Sequence, residues 1–354
     1  MENTSIELLG YDEWFHDVSQ SVIQAGNIPS RVIEVNKGNF RVSDGNNEMT
    51  AELSGRFLFS AETSTDFPTV GDWVMIQPLD NNSLGIIHHI LPRKTLLKRK
   101  EPGKKIDFQL IAANIDYGLI VQPADALNLK SLERYLVMLN ESKIVPVIIS
   151  SKTDLLSASE LEDLQTQISK LNVNHILISN IDEGGTDSLS RKLEIGKTYC
   201  LLGQSGAGKT SLLNKLIGEE LFRVNEVREK DGRGRHTTVR RQLICLSSGS
   251  IFIDTPGMRE LGNFDISEGL DQTFDEISAY GENCRFKDCT HVHEKGCAVI
   301  EAVESGQIDT ERYQNYLKLK KEADYYEMSY LEKRKKEKTF GKMMKNYKKQ
   351  NRET

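Results

Sequence analysis

The sequence predicts a multidomain protein: an N-terminal β-barrel, a central α/β domain of the P-loop class, and a C-terminal, mostly helical domain around a cysteine cluster. Three observations support this. Short segments of alternating apolar residues fill residues 31–99, a Gly-rich loop lies at residues 203–210, and three cysteines fall within residues 284–297. The first pattern is typical of all-β domains, the second of nucleotide-binding domains and the third of metal sites.

Length and composition favour a soluble protein. The chain has 354 residues, 38% hydrophobic and 28% charged, which suits two or three globular domains. No apolar run approaches the roughly 18 residues of a membrane span, and residues 1–10 lack the apolar core of a signal peptide. We therefore expect a cytoplasmic monomer with no membrane partner.

The N-terminal region predicts a small barrel. Turn signals such as Asp44-Gly45 separate five apolar segments. We expect strands at residues 31–35, 39–42, 48–53, 73–77 and 85–91. Five short strands fit an OB-type barrel, whose open face and loops bind RNA, and a Greek-key or SH3-like barrel is the alternative. Residues 1–30, which include Trp14 and Phe15, predict a short helix packed on the barrel.

A phosphate-binding loop follows an apolar strand at residues 197–202 and precedes an apolar-periodic helix at residues 210–218. In this motif backbone N–H groups cradle the phosphates, the lysine reaches the β/γ oxygens and the hydroxyl after it binds Mg²⁺. Lys209 is thus a catalytic candidate and Thr210 a magnesium ligand. The nucleotide-binding residues predicted here are Gly203, Gln204, Ser205, Gly206, Ala207, Gly208, Lys209, Thr210 and Ser211.

A guanine-recognition segment is predicted at Ser151, Lys152, Thr153 and Asp154, after an apolar strand. The Asp154 carboxylate can accept both hydrogen bonds offered by N1–H and the amine of guanine, a pair that adenine lacks. A second strand ends at Ser179-Asn180, placed to offer a backbone N–H to guanine O6.

The guanine segment precedes the phosphate loop, whereas ordinary GTPases have the opposite order. The central domain is therefore predicted to be circularly permuted. Such rewiring is tolerated because the ends of a compact domain often lie close together at its surface.

A second magnesium ligand is predicted at the end of the strand at residues 250–253. Asp254 would bind the metal shell and the Gly257 N–H would sense the γ-phosphate. In the Gly- and Arg-rich interval before it, Thr238 is expected to close over Mg²⁺, with Thr237 as second choice. The alternative for this interval is a solvated basic linker.

The attacking water needs a positioning group. Met258, where Ras-like enzymes have Gln, cannot supply one, so His236 in the preceding loop is the catalytic candidate. An exposed or RNA-contacting role for His236 is the alternative. We expect slow hydrolysis without a partner that orders this loop.

A zinc site is predicted from the spacing of Cys284, Cys289, His291 and Cys297. Three thiolates and an imidazole can close a tetrahedral Zn²⁺ site, and a structural disulfide is unexpected in a reducing cytosol. His293 is the rival fourth ligand. Cys200 and Cys245 lie in apolar strands and are expected to be buried in the core.

The motif order, together with the segments at residues 234–238 (GRHTT) and 254–262 (DTPGMRELG) and the cysteine cluster, resembles the RsgA family, also called YjeQ, of circularly permuted GTPases. The resemblance spans residues 30 to 325. It implies an OB-type barrel and a GTPase that binds the maturing small ribosomal subunit and its RNA, hydrolyses GTP to GDP faster on the subunit and is then released. Ser151 departs from the pattern, because GTPases usually have Asn there and family members often Thr.

Positive charge is concentrated in two places. Residues 331–354 carry ten Lys or Arg against three acidic residues, within a chain of net charge −6. We expect this tail to be either a solubilising extension or a helix that docks on RNA. The second basic cluster lies between barrel and GTPase domain, at Arg93, Lys94, Lys98, Arg99, Lys100, Lys104 and Lys105.

The expected domains are a helical segment (1–30), the barrel (31–99), the permuted GTPase domain (100–264), the zinc-binding helical domain (265–330) and the basic tail (331–354). Residues 254–257 lead directly into the zinc-binding domain. We therefore expect GTP-dependent ordering of these residues to change the position of that domain. Two other function classes remain: a metabolic P-loop kinase, and an RNA-binding module that holds GTP without turnover.

Overall fold

The computed structural model describes residues 5–22, 26–100, 108–179, 181, 184–218, 241–254 and 267–327. The strands are β1 (Ile28–Val35), β2 (Phe40–Ser43), β3 (Glu48–Leu53), β4 (Trp73–Leu79), β5 (Leu84–Ile90), β6 (Leu96–Lys100), β7 (Phe108–Ala113), β8 (Tyr117–Pro123), β9 (Val145–Ser151), β10 (Asn174–Leu177), β11 (Thr198–Leu202), β12 (Gln242–Cys245) and β13 (Ile251–Asp254). The helices are α1 (Glu13–Gln20), α2 (Gly55–Ser60), α3 (Leu129–Glu141), α4 (Ala158–Ser169), α5 (Asp187–Ser190), α6 (Lys209–Ile217), α7 (Ser267–Thr273), α8 (Asp275–Gly281), α9 (Ala298–Glu304) and α10 (Thr310–Glu327).

The first five strands close into a barrel in the order β1-β2-β3-β5-β4, with β1 pairing again with β4. Strands β3 and β5 are parallel and the other pairs are antiparallel. This closed five-stranded barrel confirms the OB-type prediction. Inward-facing Val32, Val42, Met49, Val74 and Ile87 fill its core, as the period of two along each strand requires.

The N-terminal segment packs on the outside of the barrel. Asp12 caps α1 by accepting a hydrogen bond from the Phe15 N–H at 3.3 Å. The rings of Tyr11 and Phe15 lie 4.8 and 5.8 Å from that of Trp73, a fully buried residue of β4. These aromatic contacts fix the segment against β4.

The central domain is a parallel sheet in the order β10-β9-β8-β11-β13, with β12 antiparallel to β13. The strand that carries the phosphate loop, β11, lies between β8 and β13, although β8, β9 and β10 precede it in the chain. This arrangement confirms the predicted circular permutation. Strand β12 also pairs with β1 of the barrel, so barrel and α/β domain share one continuous sheet.

A hairpin that the sequence did not predict joins barrel to sheet. Strands β6 and β7 form a separate two-stranded sheet among the described residues. The predicted boundary at residue 100 lies at the end of β6, inside this hairpin.

Helices α7–α10 form the C-terminal region, in which α7 and α10 pack against α3. Phe274 and Tyr316 form an edge-to-face pair at 5.5 Å and are both buried, so Tyr316 serves core packing. Over the described part of the chain, no helix is long and apolar enough to cross a membrane.

Candidate functional site: a nucleotide edge and a cysteine cluster

The predicted nucleotide segments meet at one edge of the parallel sheet. The carboxyl ends of parallel strands lie side by side, and open α/β sheets bind ligands outside that edge. Ser151 ends β9, Ser179 follows β10, Gly203 follows β11 and Asp254 ends β13. Segments spread over a hundred residues are thereby gathered on one side of the sheet.

The phosphate loop turns sharply out of β11 and into α6. Gly203 has φ +130°, and a Cβ there would lie 2.1 Å from the Val121 carbonyl oxygen of β8. Gly208, with φ +88°, caps α6. Only glycine suits both positions, and the result directs the N–H groups of the first turn of α6 outward, as in an anion site.

Lys209 folds back over this loop. Its ammonium group donates to the carbonyl oxygens of Gly203 at 2.7 Å and Gln204 at 2.6 Å. These carbonyls hold the lysine at the mouth of the loop, where incoming phosphate oxygens would compete for the same protons. Thr210 and Ser211 follow in the first turn of α6 and are half-buried.

Two hydroxyls join the guanine segment to its neighbours. Ser151, fully buried, donates to the Ala207 carbonyl oxygen at 2.8 Å and so connects β9 to the phosphate loop. Thr153 donates to the Ile178 carbonyl oxygen at 3.0 Å and connects the same turn to β10. Lys152 between them has φ +59°, the left-handed conformation that starts the turn toward Asp154.

Asp154 is exposed, and its Oδ1 accepts a hydrogen bond from the Ser179 hydroxyl at 2.7 Å. The Ser179 N–H donates to the Gly185 carbonyl oxygen at 3.1 Å, and Asn180, the other residue expected to offer an N–H to guanine O6, lies outside the described residues. The hydroxyl of Ser179, which follows β10, therefore restricts the rotation of the Asp154 carboxylate.

Asp254 lies at the end of β13, and burial raises the pKa of its carboxyl. A nearby cation would oppose that shift, because it favours the charged form. His236, Thr237, Thr238, Gly257, Met258 and Asn180 lie outside the described residues, as do Lys104, Lys105 and the tail at 331–354.

Sequence reasoning missed two groups near the phosphate loop. The Gln122 carbonyl oxygen of β8 lies 3.4 Å from the Ser151 hydroxyl, and Ser131 of α3 accepts from the Gln204 amide at 3.3 Å. Their position follows from β8 lying between β9 and β11. These two groups could have been predicted only if the strand order had been known.

The cysteine cluster assembles in the C-terminal region. The Sγ atoms of Cys284 and Cys297 are 3.7 Å apart, and His291 Nδ1 lies 3.6 and 3.5 Å from them. With Cys289, the four ligand atoms lie within 4.8 Å of one another and could hold a metal ion. The structure thus brings His291, not the exposed His293, into the cluster.

The turn around His291 is fixed by its surroundings. The Glu294 carboxylate accepts backbone N–H groups of Thr290 at 3.0 Å, Val292 at 3.0 Å and His293 at 3.1 Å. These hydrogen bonds hold the pKa of Glu294 well below its usual range, with the Thr290 hydroxyl contributing most. Tyr313 of α10 donates to the His291 carbonyl oxygen at 2.6 Å.

Comparison with known proteins identifies the family. The RsgA GTPase model matches residues 90–264. Small ribosomal subunit biogenesis GTPase RsgA 1 of Bacteroides thetaiotaomicron is 36% identical over 352 residues, 98% of each chain. The chain belongs to the RsgA GTPase family. The RsgA protein of Leptospira interrogans strain Fiocruz L1-130 is 38% identical over 84% of this chain and 83% of its own.

Two solved structures share the fold. YjeQ from Thermotoga maritima superposes with a TM-score of 0.63 at 26% identity, over 84% of this chain and 98% of its own. YloQ, described as a circularly permuted GTPase, superposes with a TM-score of 0.62 at 26% identity, over 85% and 96%.

Two members of the basic cluster between the barrel and the GTPase domain are paired within the protein. Arg93 pairs with fully buried Asp72 at 2.8 Å and also donates to the carbonyl oxygens of Thr65 and Phe67. Lys94 pairs with Asp12. These two cations are structural.

Cys245 also differs from expectation, because it is exposed on β12, whereas Cys200 is buried and burial raises its pKa to about 12.

The C-terminal region of this RsgA chain is anchored to α3. Arg312 of α10 donates to Glu133 of α3 at 2.7 Å and to the Thr273 carbonyl oxygen at 2.8 Å, and pairs with Glu276. Arg134 of α3 pairs with Glu322 of α10 at 2.7 Å. Helix α3 also contacts Gln204 of the phosphate loop through Ser131, so it touches both the C-terminal region and the nucleotide edge.

Proposed function

We propose that this protein binds the small ribosomal subunit late in its assembly, hydrolyses GTP faster there and is released with GDP. The observation that carries the proposal is the hydrogen bond from Ser151 to Ala207, which joins the guanine segment and the phosphate loop into one site. The partner is supported by the relatives, which are named small ribosomal subunit biogenesis GTPases.

Each nucleotide contact has a proposed residue. Lys209 would exchange the Gly203 and Gln204 carbonyls for β/γ-phosphate oxygens, while the N–H groups of residues 203–208 and the start of α6 hold the phosphates. Asp154, oriented by Ser179, would accept the N1–H and amine of guanine. Lys152 and Ser211 complete the proposed nucleotide-binding set. Lys152 lies in the turn that carries Asp154, and Ser211 lies in the first turn of α6.

Magnesium is the proposed partner of Thr210, Asp254 and Thr238. The ion would neutralise negative charge on the phosphates. Asp254 suits this role because it ends a strand at the nucleotide edge in a partly dehydrated place. We further propose that His236 orients the attacking water and that the subunit's RNA completes the arrangement. Gly257 would sense the γ-phosphate.

Zinc is the proposed metal of the cysteine cluster. A tetrahedral ion with Zn–S of about 2.3 Å and Zn–N of about 2.0 Å sets sulfurs about 3.8 Å apart and sulfur from nitrogen about 3.5 Å. The Cys284–Cys297 separation of 3.7 Å and the His291 separations of 3.5 and 3.6 Å fit that geometry. Zinc would fix the turn that Tyr313 and Glu294 already support.

The function is tested by GTP hydrolysis with and without purified small subunits. We expect stimulation of at least one order of magnitude, and partner-supplied ordering and charge give about 10³ to 10⁵ in related systems. His236→Ala should lose most of the stimulated rate but keep GTP affinity, whereas His293→Ala is the matched control. If subunits change neither rate nor affinity, the ribosomal proposal fails and the guanine-nucleotide site survives.

The base assignment has a separate test. We expect GTP and GDP to bind far better than ATP, and Asp154→Asn to shift preference toward xanthine nucleotides because an amide can donate to xanthine O2. Nucleotide competition measures this directly. Equal ATP and GTP affinity in the parent protein would refute guanine recognition.

Metal content tests the zinc proposal. Cys289→Ser should lose the zinc measured by elemental analysis, while His293→Ala should keep one zinc per chain. GTP binding should survive in both, because the cluster lies in the C-terminal region rather than at the nucleotide edge. If the parent protein, purified without chelator, contained no zinc, the zinc proposal would be contradicted.

A further inference from the structure

Tyr135 of α3 carries a buried hydroxyl group that the rest of the fold does not use. The residue is 1% exposed, and its Oη atom has no hydrogen-bond partner among the described residues. A buried hydroxyl without a partner costs free energy, so its presence calls for an explanation. The ring belongs to the same apolar core as Leu202, the last residue of β11. A phenylalanine would fill this space without that cost.

The face of α3 that carries Tyr135 lies at the phosphate loop. One turn earlier, Ser131 accepts a hydrogen bond from the Gln204 side-chain amide at 3.3 Å. Residues four positions apart lie on the same face of a helix. The side chain of Tyr135 therefore leaves the helix toward the same end of β11 as that of Ser131.

The Tyr135 hydroxyl is a neighbour of Gly203, the first residue of the loop. Burial raises the pKa of Tyr135 to about 12, and the Gly203 N–H opposes this rise. The N–H and the hydroxyl oxygen do not have the geometry of a hydrogen bond in this structure. Gly203 itself lies against β8, because a Cβ on it would come within 2.1 Å of the Val121 carbonyl oxygen. A small movement of the loop would complete the hydrogen bond.

Helix α3 is held in place by the C-terminal region. Glu133 accepts a hydrogen bond from Arg312 of α10 at 2.7 Å, and Arg134 pairs with Glu322 of the same helix at 2.7 Å. These contacts lie directly before Tyr135 in the chain. The hydroxyl is therefore a fixed point, and the loop is the part that moves toward it.

We propose that Tyr135 is a positioning residue of the nucleotide site, whose hydroxyl oxygen accepts a hydrogen bond from the Gly203 N–H when nucleotide phosphates occupy the loop. Phosphate oxygens attract the N–H groups of the loop and of the first turn of α6, and so draw the loop into one conformation. The hydrogen bond fixes the start of that loop, as the hydrogen bond from Ser151 to Ala207 fixes its middle. This inference rests on the nucleotide site proposed above.

The proposed contact acts on binding rather than on hydrolysis. Gly203 belongs to the loop that holds phosphates common to GTP and GDP, so both nucleotides should gain equally from it. An interaction made equally before and during the chemical step affects KM but not the rate at saturation.

Tyr135→Phe tests the inference, because it removes the hydroxyl and keeps the ring. Equilibrium titration should show GDP and GTP binding about fivefold more weakly, the loss typical of one neutral hydrogen bond. In subunit-stimulated hydrolysis, KM for GTP should rise and kcat should not fall. Without nucleotide, the denaturation midpoint should equal or exceed that of the parent protein, since no hydrogen bond is lost.

Tyr199→Phe is the matched control. Tyr199 is also buried, and burial raises its pKa to about 12 as well. Its hydroxyl accepts the Glu194 N–H at 2.9 Å near the amino end of β11, away from the nucleotide edge. Removing this hydroxyl should lower the denaturation midpoint and leave GDP and GTP affinity unchanged.

Hydrogen exchange at the Gly203 amide reads the contact directly. GDP should slow this exchange more in the parent protein than in Tyr135→Phe, because a hydrogen-bonded amide is protected. Equal protection, or equal nucleotide affinity in the two proteins, would overturn the inference while the nucleotide site stands. A loss confined to GTP and accompanied by a lower kcat would also overturn it. If the parent protein binds neither GDP nor GTP, the proposed nucleotide site itself fails.

Discussion

Strand β11 has a cation near each end, and the two are used in opposite ways. At its amino end, Arg31 of β1 is buried and donates to Thr198 Oγ1 at 2.9 Å, to the Asn114 carbonyl oxygen at 3.1 Å and to that of Gly71 at 3.3 Å. It also donates to the Leu9 carbonyl oxygen. Burial lowers the pKa of Arg31 to about 10, and the negative charge of Asp116 opposes this shift, so the guanidinium group stays charged at neutral pH.

At the carboxyl end, Lys209 donates to two carbonyls of its own loop, at positions 203 and 204. Arg31 joins four segments that are distant in sequence, so its contacts cannot be exchanged without separating the N-terminal segment, the barrel and the sheet. The Lys209 contacts are local, so phosphate can replace them while the fold stays intact. The first cation stabilises the structure, and the second is available for chemistry.

The largest effect expected from this contrast is on rate. Lys209→Ala should lower subunit-stimulated GTP hydrolysis by about 10²-fold or more, because charge stabilisation of the transition state is lost. Its denaturation midpoint should stay close to that of the parent protein. Lys170→Ala, an exposed lysine at the end of α4, is the control. Parent-level hydrolysis in Lys209→Ala would show that this loop is not the catalytic site.

Arg31→Met should show the reverse pattern. Buried acceptors of four segments would lose their donor, and the free energy of unfolding should fall by about 2 to 3 kcal/mol. Urea unfolding followed by tryptophan fluorescence measures this, since Trp73 lies 5.6 Å from the guanidinium group. At temperatures where the variant is folded, GTP affinity should be unchanged. A strong loss of GTP affinity without loss of stability would contradict the structural role assigned to Arg31.

The smallest effect concerns Ser151, which is buried like Arg31 but contacts the phosphate loop like Lys209. Ser151→Ala leaves the Ala207 carbonyl oxygen without its donor, which costs about 1 kcal/mol. GTP affinity should fall about fivefold by equilibrium titration, and Ser151→Thr should restore it. Unchanged affinity in Ser151→Ala would mean that this hydrogen bond does not organise the site.

What the sequence predicted well depends on local chemistry. The turn at Gly203, the helix after Gly208 and the ligand spacing from Cys284 to Cys297 are each encoded within a few residues. The barrel strands followed from alternation and turn residues, and the observed strands lie within about three residues of the predicted ones. The permuted order could be predicted because motif order is a property of the sequence itself.

What the sequence did not predict depends on distant partners. Arg31 gave no signal, because one of its acceptors, Thr198, is 167 positions away. Arg93 was grouped with a cluster of unpaired cations, since its pairing with Asp72 is visible only once the barrel is closed. Cys245 was placed in the core from the apolar character of its strand, but it is exposed at the end of β12, although Leu243, on the same face two residues earlier, is buried.

The pairing of β1 with β12 has a practical consequence for fragments of this protein. A fragment starting near residue 100 would keep the phosphate loop and Asp154 but would leave the outer edge of β12 without the strand that covers it. Uncovered strand edges template pairing with other chains. Such a fragment should self-associate even if it binds GTP, so a nucleotide-binding core free of aggregation requires the barrel to be retained.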